Sequence, residues 1–180
     1  MRSKFRFYAL KLCFFIFLIF LIQLFSDKFT QLFLLNSDSY SQIWRFFTAI
    51  FLHGNLMHLI YNIFALALFG SILERFIGSK RFLFVFFITG IFSNLVSVNF
   101  YDNSLGASGA IFGIIGALIF VKPLMIIWAF GLPMPMFLAG ILWAVGDIIG
   151  LFIPSNVANF AHLSGMFFGL VLGAICRKYS

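Results

Sequence analysis

Charged residues are scarce in this chain of 180 residues: Asp, Glu, Lys and Arg together make up 9% of it. Soluble domains carry about 25% charged residues, so this composition falls far outside their range. Cysteine is also rare, and Cys13 and Cys176, near opposite ends of the chain, form neither a disulfide framework nor a zinc-binding pattern. What fills the chain is apolar, with 63% hydrophobic residues and 29 Phe. These proportions exclude a soluble enzyme and a disordered chain, and they leave an integral membrane protein.

The few charges leave six long charge-free runs along the chain. A helix needs about 20 apolar residues to cross the hydrocarbon core of a bilayer, which is about 30 Å thick. The sequence therefore predicts one all-α, polytopic membrane domain over residues 1–180, built as a bundle of six transmembrane helices. The predicted spans lie at about 8–25, 54–73, 81–100, 108–121, 134–149 and 158–176. The mixed segment of about 26–49 is expected to lie in the external membrane interface.

The basic residues orient this bundle. If the spans alternate in direction, ten of the twelve Lys and Arg residues fall on one side, and only Lys28 and Arg45 lie opposite. Positively charged loops stay in the cytoplasm, so both termini are predicted to be cytoplasmic. The basic residues that give the net charge of +7 therefore indicate topology. They form no basic surface of the kind that binds nucleic acid. A prokaryotic cell membrane is the expected location, because no transit peptide or extra domain is recognisable.

Polar residues within the predicted spans are few, and four of them share one depth. His58 and Asn62 lie on the second span, Ser108 opens the fourth, and His162 lies in the sixth. Counted back from the cytoplasmic charge that ends each span, all four lie 12–16 positions away. Polar groups are costly inside a bilayer and therefore indicate function by default. We expect a functional site at this level of the membrane.

The fourth span is too short to cross the bilayer. Its 14 residues, 108–121, make a helix about 21 Å long at 1.5 Å per residue, against about 30 Å of hydrocarbon. Its first residue, Ser108, should therefore lie inside the membrane, and the preceding loop of 100–107 should dip below the surface. Irregular backbone is tolerated at that depth only where it is buried in protein or lines a wet cavity.

Small residues recur every four positions in two of the spans, and such stripes let helices approach closely. One stripe lies in the fourth span and the other in the sixth: Gly109, Gly113 and Ala117, then Ala161, Gly165, Gly169 and Gly173. Packing one stripe on the other would set Ser108 opposite His162.

These residue types predict nucleophilic catalysis. A serine hydroxyl becomes a nucleophile when an adjacent base takes its proton, and His162 could do this and then protonate the leaving amine. Asp147 is placed near the outer end of the fifth span and Asp102 in an external loop, so no carboxylate is expected at the depth of the histidine. The sequence thus predicts a Ser108–His162 dyad, with Phe112, one turn after Ser108, stacking on the imidazole.

An oxyanion formed in this reaction needs hydrogen-bond donors. The candidates are the backbone N–H of Ser108 at a helix N-terminus and the side chains of Asn62 and His58, four residues apart on one helix face. His53 is expected nearer the surface, supporting the loop or the entry of water. The spacing of the three histidines is poor for a metal site, and no metal or cofactor is expected.

Taken together, the motifs of this sequence resemble those of the rhomboid family of intramembrane serine proteases. The matching patterns, in chain order, are Trp44-Arg45, His53-x4-His58-x3-Asn62, Gly70-x3-Glu74-x3-Gly78, Gly106-Ala107-Ser108-Gly109 and Ala161-His162-x2-Gly165. The resemblance extends over all six predicted spans, from about residue 8 to 178. Two positions depart from the family pattern: Phe112 stands where many members have Tyr, and Val157 where many have Gly.

The resemblance implies a six-helix rhomboid fold in which Ser108 is the nucleophile and His162 the general base. It implies an oxyanion hole formed by Asn62, His58 and the Ser108 amide, and cleavage of the transmembrane segments of other proteins without a cofactor or metal. The expected partners are therefore substrate transmembrane segments and the lipid bilayer. Two alternatives stay open: a rhomboid-like protein that binds transmembrane clients without cleaving them, and a small transporter, which the lack of repeats disfavours.

Overall fold

The computed structural model describes residues 5–154 and 157–177, so the two termini, whose cytoplasmic placement is predicted, lie outside the described residues. Helices cover each of the six predicted spans. They are α1 (Tyr8–Phe25), α4 and α5 joined by one π turn (Leu56–Ala65, Leu66–Gly70 and Ser71–Ile77), α6 (Ser79–Ser97), α7 (Ser108–Val121), α8 (Met136–Gly150) and α9 (Asn159–Arg177).

Four helices of the described chain are long and apolar enough to cross a membrane. They are Tyr8–Phe25, Leu56–Ile77, Ser79–Ser97 and Asn159–Cys176. The helices α7 and α8 are apolar but shorter, with 14 and 15 residues. The structure thus shows a helical membrane-type bundle, and the count of six complete crossings stays a prediction.

The segment between α1 and α4 is folded as a chain of short elements. It contains α2 (Asp27–Phe33), β1 (Leu35–Asn36), a 3₁₀ turn (Ser37–Tyr40), α3 (Arg45–Thr48) and a second 3₁₀ turn (Ala49–Phe51). Arg45 holds these pieces together: its Nη1 donates to the carbonyl oxygens of Gln31, at 2.8 Å, and Leu34, at 2.7 Å. The buried guanidinium therefore replaces backbone pairing that these short elements cannot supply for themselves.

The centre of the bundle is the contact between α7 and α9. A methyl group built on Gly165 would collide with the carbonyl oxygen of Gly109, and one built on Gly169 would collide with that of Gly113. At Gly173 the same methyl would lie 2.8 Å from the Ala117 carbonyl oxygen. The two stripes of small residues pack against each other as their spacing predicts, because only the absence of side chains allows the two backbones to approach so closely.

The connection between α7 and α8 is a β-hairpin, which the sequence analysis did not predict. Strands β3 (Ile126–Ala129) and β4 (Leu132–Pro135) pair in antiparallel register, and β2 (Asn103–Ser104) pairs separately with β1. The two hairpin-turn residues, Phe130 and Gly131, both have positive φ values, 54° and 78°, as a tight two-residue turn requires. The hairpin closes at its base where the amide of Met136 donates to the carbonyl of Met125.

The start of α1 is fixed by an acidic residue from α5. Glu74 is fully buried, and its carboxylate accepts hydrogen bonds from the backbone amides of Arg6, Tyr8 and Ala9. The first amides of a helix have no partner within the helix, so this carboxylate satisfies them from outside.

Candidate active site

Three side chains from three helices form a continuous hydrogen-bonded chain. Ser108, the first residue of α7, has its Oγ 2.9 Å from Nε2 of His162 on α9. The opposite imidazole nitrogen, Nδ1, lies 2.9 Å from Oδ1 of Asp147 on α8. The close packing of α7 on α9 brings the first pair together, and the short α8 brings the third member to the same level. This arrangement is the one in which a hydroxyl, a base and a carboxylate can act as a unit.

The expectation that no carboxylate reaches His162 is wrong. Asp147 is 7% exposed, so it is a buried residue and not an interfacial one. The physical reason is the length of α8, whose 15 residues make only about 22 Å of helix. A helix this short is expected to end below the outer membrane surface, which would bring a residue near its end to the depth of the site. The same length argument that placed Ser108 inside the membrane could have placed Asp147 there too.

Phe112 lies one helical turn after Ser108, where its spacing predicts. Its ring is stacked on the His162 imidazole, with 4.2 Å between the ring centroids and 4° between the ring planes. The imidazole is therefore held at its face by Phe112 and at both nitrogens by polar partners.

The serine and the histidine open into a cavity of about 990 Å³. Polar residues from α4, α7 and α9 line it, together with the loop before α7: His58, Asn62, Ser108, His162, Tyr101 and Asp102. This volume is at the upper end of the range for small-molecule sites and is large enough for a stretch of extended polypeptide. The structure thus shows an open site at the N-terminus of α7, within a bundle whose core is mostly apolar.

Asn62 and His58 face this cavity from α4, as their four-residue spacing predicts. The Nδ2 of Asn62 donates to the backbone carbonyl of His58 at 2.8 Å, which uses one of the two amide hydrogens. The second hydrogen is left for a group in the cavity. Asn55 caps this helix by accepting from the backbone amide of His58 at 2.8 Å, which fixes where α4 begins.

Gly106 and Gly109 have different surroundings. Gly106 has φ +128°, and a methyl group built on it would lie 2.7 Å from Cε1 and 2.9 Å from Nε2 of His58. It therefore leaves room for the His58 ring beside Ser108. Gly109 instead contacts α6, where the same methyl would lie 2.5 Å from Cβ of Ser93. Gly106 shapes the site, whereas Gly109 lets α6 and α7 approach.

The sequence analysis expects His53 near the surface, but the structure buries it. It is 2% exposed, in the segment before α4, with its ring 5.0 Å from the ring of His58. Its backbone is fixed by Gln23, whose Oε1 accepts from the His53 amide at 2.9 Å. Burial, together with the charge of neighbouring His58, lowers the pKa of His53 to about 3, so its ring is neutral at physiological pH. His53 thus packs behind His58 and not at a water entry.

No group of three or more His, Cys, Asp or Glu residues within 5–154 and 157–177 is arranged to hold a metal ion.

The sequence analysis did not single out several polar residues of α6, among them Thr89 and Asn94. They are structural: Asn94 donates to the Phe46 carbonyl at 2.8 Å, and Thr89 donates to that of Val85 at 2.8 Å.

Comparison with known proteins supports the resemblance that the motifs carry. The profile of the Rhomboid domain family matches residues 40–179, which include Asn62, Ser108, Asp147 and His162. The RHOMBOID-like protein 7 of Arabidopsis thaliana is 34% identical over 134 residues, which cover 73% of this chain and 42% of that protein. The putative rhomboid protease YdcA of Bacillus subtilis is 35% identical over 149 residues, which cover 74% of this chain and 67% of that protein.

The rhomboid protease GlpG of Yersinia pseudotuberculosis is 28% identical over 141 residues, 76% of this chain and 49% of that protein. The chain spans between a third and a half of the length of the plant relatives that it matches. The family profile nevertheless covers most of the chain, including all the segments that line the cavity. On this match, the chain belongs to the rhomboid family.

Proposed function

We propose that this protein is an intramembrane serine endopeptidase, which cleaves peptide bonds in or near the transmembrane segments of membrane proteins. The observation that carries the proposal is the 2.9 Å contact between Ser108 Oγ and His162 Nε2, at a cavity inside an apolar helical bundle. Two bacterial relatives are named as a rhomboid protease and a putative rhomboid protease, and both names support the same activity.

The geometry supports a two-step acyl transfer. His162 takes the proton of Ser108 as Oγ attacks the scissile carbonyl carbon, and it then gives this proton to the leaving amine as the C–N bond breaks. Water enters through the cavity and loses a proton to His162 as it attacks the acyl-enzyme ester. The protonated histidine returns this proton to Ser108 as the second product leaves, so the site ends as it began.

The oxyanion of each tetrahedral intermediate requires donors on one side of the cavity. The Ser108 backbone N–H lies at the N-terminus of α7, where the amides of the first turn have no intrahelical partner and the helix dipole is positive. The side chains of Asn62 and His58 line the same cavity from α4, and we assign the second amide hydrogen of Asn62 and an imidazole N–H of His58 as further donors. Together these groups form the proposed oxyanion hole, with His53, Phe112, Gly106 and Gly109 as supporting residues.

The bilayer determines which substrates reach this site. The helices around the cavity expose large apolar side chains on their outer faces, among them Phe64, Ile141 and Phe167, so lipid is the proposed route of entry for a substrate helix. Extended backbone is needed for attack, and helix-breaking small residues near the external end of a substrate span would supply it. The bacterial relatives support a prokaryotic cell membrane as the location. The distribution of Lys and Arg supports placing both termini in the cytoplasm.

The alternative is a rhomboid-like protein that binds transmembrane clients and does not cleave them. Relatives that are named only as RHOMBOID-like leave this alternative open. The hydrogen bond between Ser108 and His162 favours cleavage, because a protein that only binds has no need to keep both groups in contact at a polar cavity.

The test uses the purified protein in liposomes and a single-span substrate with small, helix-breaking residues near its external end. Ser108→Ala and His162→Ala should each abolish cleavage, and a fluorophosphonate probe should label the wild type but not Ser108→Ala. Ser164→Ala is the matched control, since this serine lies on α9 but donates to the Ala161 carbonyl at 3.1 Å. Cleavage that persists in either dyad variant contradicts the proposal, and intact binding without cleavage in the wild type establishes the alternative.

A further inference from the structure

The carboxylate of Asp147 lies in an unusual place for a charged group. It is buried near the end of α8, inside an apolar bundle, with Oδ1 2.9 Å from Nδ1 of His162. Its other oxygen, Oδ2, is buried without a hydrogen-bond partner among the described residues. Burying a carboxylate is unfavourable unless its surroundings compensate it, and here the compensation is incomplete. A residue that served only to tie α8 to α9 would not need a charge.

The contact between Asp147 and His162 determines which nitrogen of the imidazole carries the hydrogen. An ionised carboxylate has no hydrogen to donate, so with Asp147 in that form Nδ1 of His162 is the donor of this hydrogen bond. In the neutral ring the other nitrogen, Nε2, then carries no hydrogen and accepts from the hydroxyl of Ser108. This is the tautomer that a general base requires, whereas the opposite tautomer would present an N–H to the serine and could not take its proton.

We propose that Asp147 is a positioning residue for His162, so that the site works as a Ser108–His162–Asp147 triad. The proposal rests on the proposed protease function. Asp147 holds the imidazole in the Nδ1–H tautomer, fixes the ring plane that Phe112 contacts from its face, and stabilises the imidazolium that forms when Ser108 loses its proton. In this role Asp147 accepts a hydrogen bond from Nδ1–H and takes no proton itself, so the proton balance of the two-step reaction is unchanged.

The other titratable groups around His162 do not supply this role. His58 faces it across the cavity from α4, and Tyr101 and Asp102 lie in the loop at the cavity wall. The hydroxyl of Tyr101 accepts from the backbone amide of Phe160 at 3.1 Å, which ties it to the start of α9. Asp102 is exposed, so water screens its charge from the imidazole. Asp147 is the group placed to hold Nδ1.

The first experiment measures cleavage kinetics in liposomes for the wild type, Asp147→Asn and Asp147→Ala. Asp147→Asn is close to isosteric, so it keeps the packing of α8 while its amide can hold the ring in the wrong tautomer. We expect kcat to fall by at least about 10²-fold, toward the loss of about 10⁴-fold that removing the orienting carboxylate causes in serine proteases, with KM changed less than threefold. Asp38→Asn, an exposed carboxylate in the segment before α3, is the charge-removal control and should leave both parameters unchanged.

The second experiment does not depend on proteolysis. The ¹⁵N spectrum of histidine-labelled protein in detergent micelles reports which imidazole nitrogen carries hydrogen, and the His162 signals are assigned by their loss in His162→Gln. The wild type should show His162 in the Nδ1–H form, and Asp147→Ala should lose that preference. Thermal unfolding of each variant shows that the comparison is made on folded protein.

The outcomes separate this proposal from the proposed function. If the wild type cleaves and Asp147→Asn keeps kcat within twofold, or raises KM alone, Asp147 is a structural tie and the positioning role is wrong. If the wild type does not cleave, the protease function fails, and the tautomer comparison then decides whether Asp147 orients His162. An unchanged tautomer in Asp147→Ala overturns the proposal in either case.

Discussion

The ring of Phe112 lies parallel to the imidazole of His162, with a centroid separation of 4.2 Å. The two residues are on different helices, α7 and α9, so the stack fixes the imidazole plane relative to the helix that carries Ser108. An aromatic pair of this kind contributes about 0.5–1.5 kcal/mol beyond the area it buries.

Replacing this ring should therefore slow catalysis. We expect Phe112→Leu to lower kcat by about 2- to 12-fold, the rate equivalent of that energy, with little change in KM. Phe112→Tyr keeps the stack and should retain kcat within about twofold. Steady-state cleavage of a single-span substrate in liposomes measures both. Equal losses in the two variants would show that the volume of Phe at this position matters and the stack does not.

Asn62 should act on the transition state and not on substrate binding. Removing its side chain in Asn62→Ala takes away one proposed oxyanion donor, and we expect kcat to fall by about 10- to 1000-fold with KM nearly constant. Asn99→Ala is the matched control, because Asn99 also donates to the carbonyl four residues earlier, that of Leu95, but is exposed. A rise in KM with kcat retained would place Asn62 in substrate binding instead.

Gly106 should tolerate no side chain. In Gly106→Ala the new methyl group would meet the His58 ring at 2.7 Å, and the backbone φ of +128° is unfavourable for alanine. We expect cleavage to fall at least tenfold, measured as kcat/KM in liposomes. Gly131→Ala tests the backbone strain without the clash. Gly131 also has positive φ, at +78°, but no atom lies within 4 Å of the added methyl. Full activity in Gly106→Ala would show that His58 can move without loss of function.

The second and fifth spans are a candidate gate for substrate entry. The ring of Phe69, in the π turn of the second span, packs edge-on against Trp143 of α8 with 5.7 Å between centroids. Phe130 from the hairpin turn lies on Trp143 as well, at 5.9 Å. The Phe69–Trp143 pair joins the second span to α8, so a substrate helix that enters between them at this level must separate the two rings.

Linking the two helices should thus prevent entry. Phe69→Cys and Trp143→Cys are combined in a chain in which Cys13 and Cys176 are replaced by Ala, and a bifunctional thiol reagent joins the pair. We expect cleavage of a single-span substrate to fall at least tenfold, while labelling of Ser108 by a small fluorophosphonate continues. The single-cysteine variants, treated with the same reagent, are the controls. Unaffected cleavage after complete crosslinking would rule out separation of these helices.

Much of the site could be predicted because its determinants are local. Hydrophobic run lengths define helices, a helix of 14 residues cannot cross a bilayer, and residues four apart share a helix face. From these rules the sequence predicts the contact of α7 with α9, the facing of Ser108 and His162, and the position of Phe112 one turn away. The family membership that the motifs indicate is confirmed by the match over residues 40–179.

The remaining features depend on where separate segments meet in space. Asp147 reaches His162 because α8 is short and returns beside α9, a relation between two helix ends that no spacing within either helix reveals. His53 is buried because Gln23 of α1 holds its backbone, and Arg45 joins carbonyls that lie 11 and 14 residues before it. In an apolar chain the hydrophobic effect places helices in the bilayer but does not choose their neighbours. The sequence therefore determined the helices and the facing of Ser108 with His162, whereas only tertiary packing brought Asp147 to His162 and buried His53 behind His58.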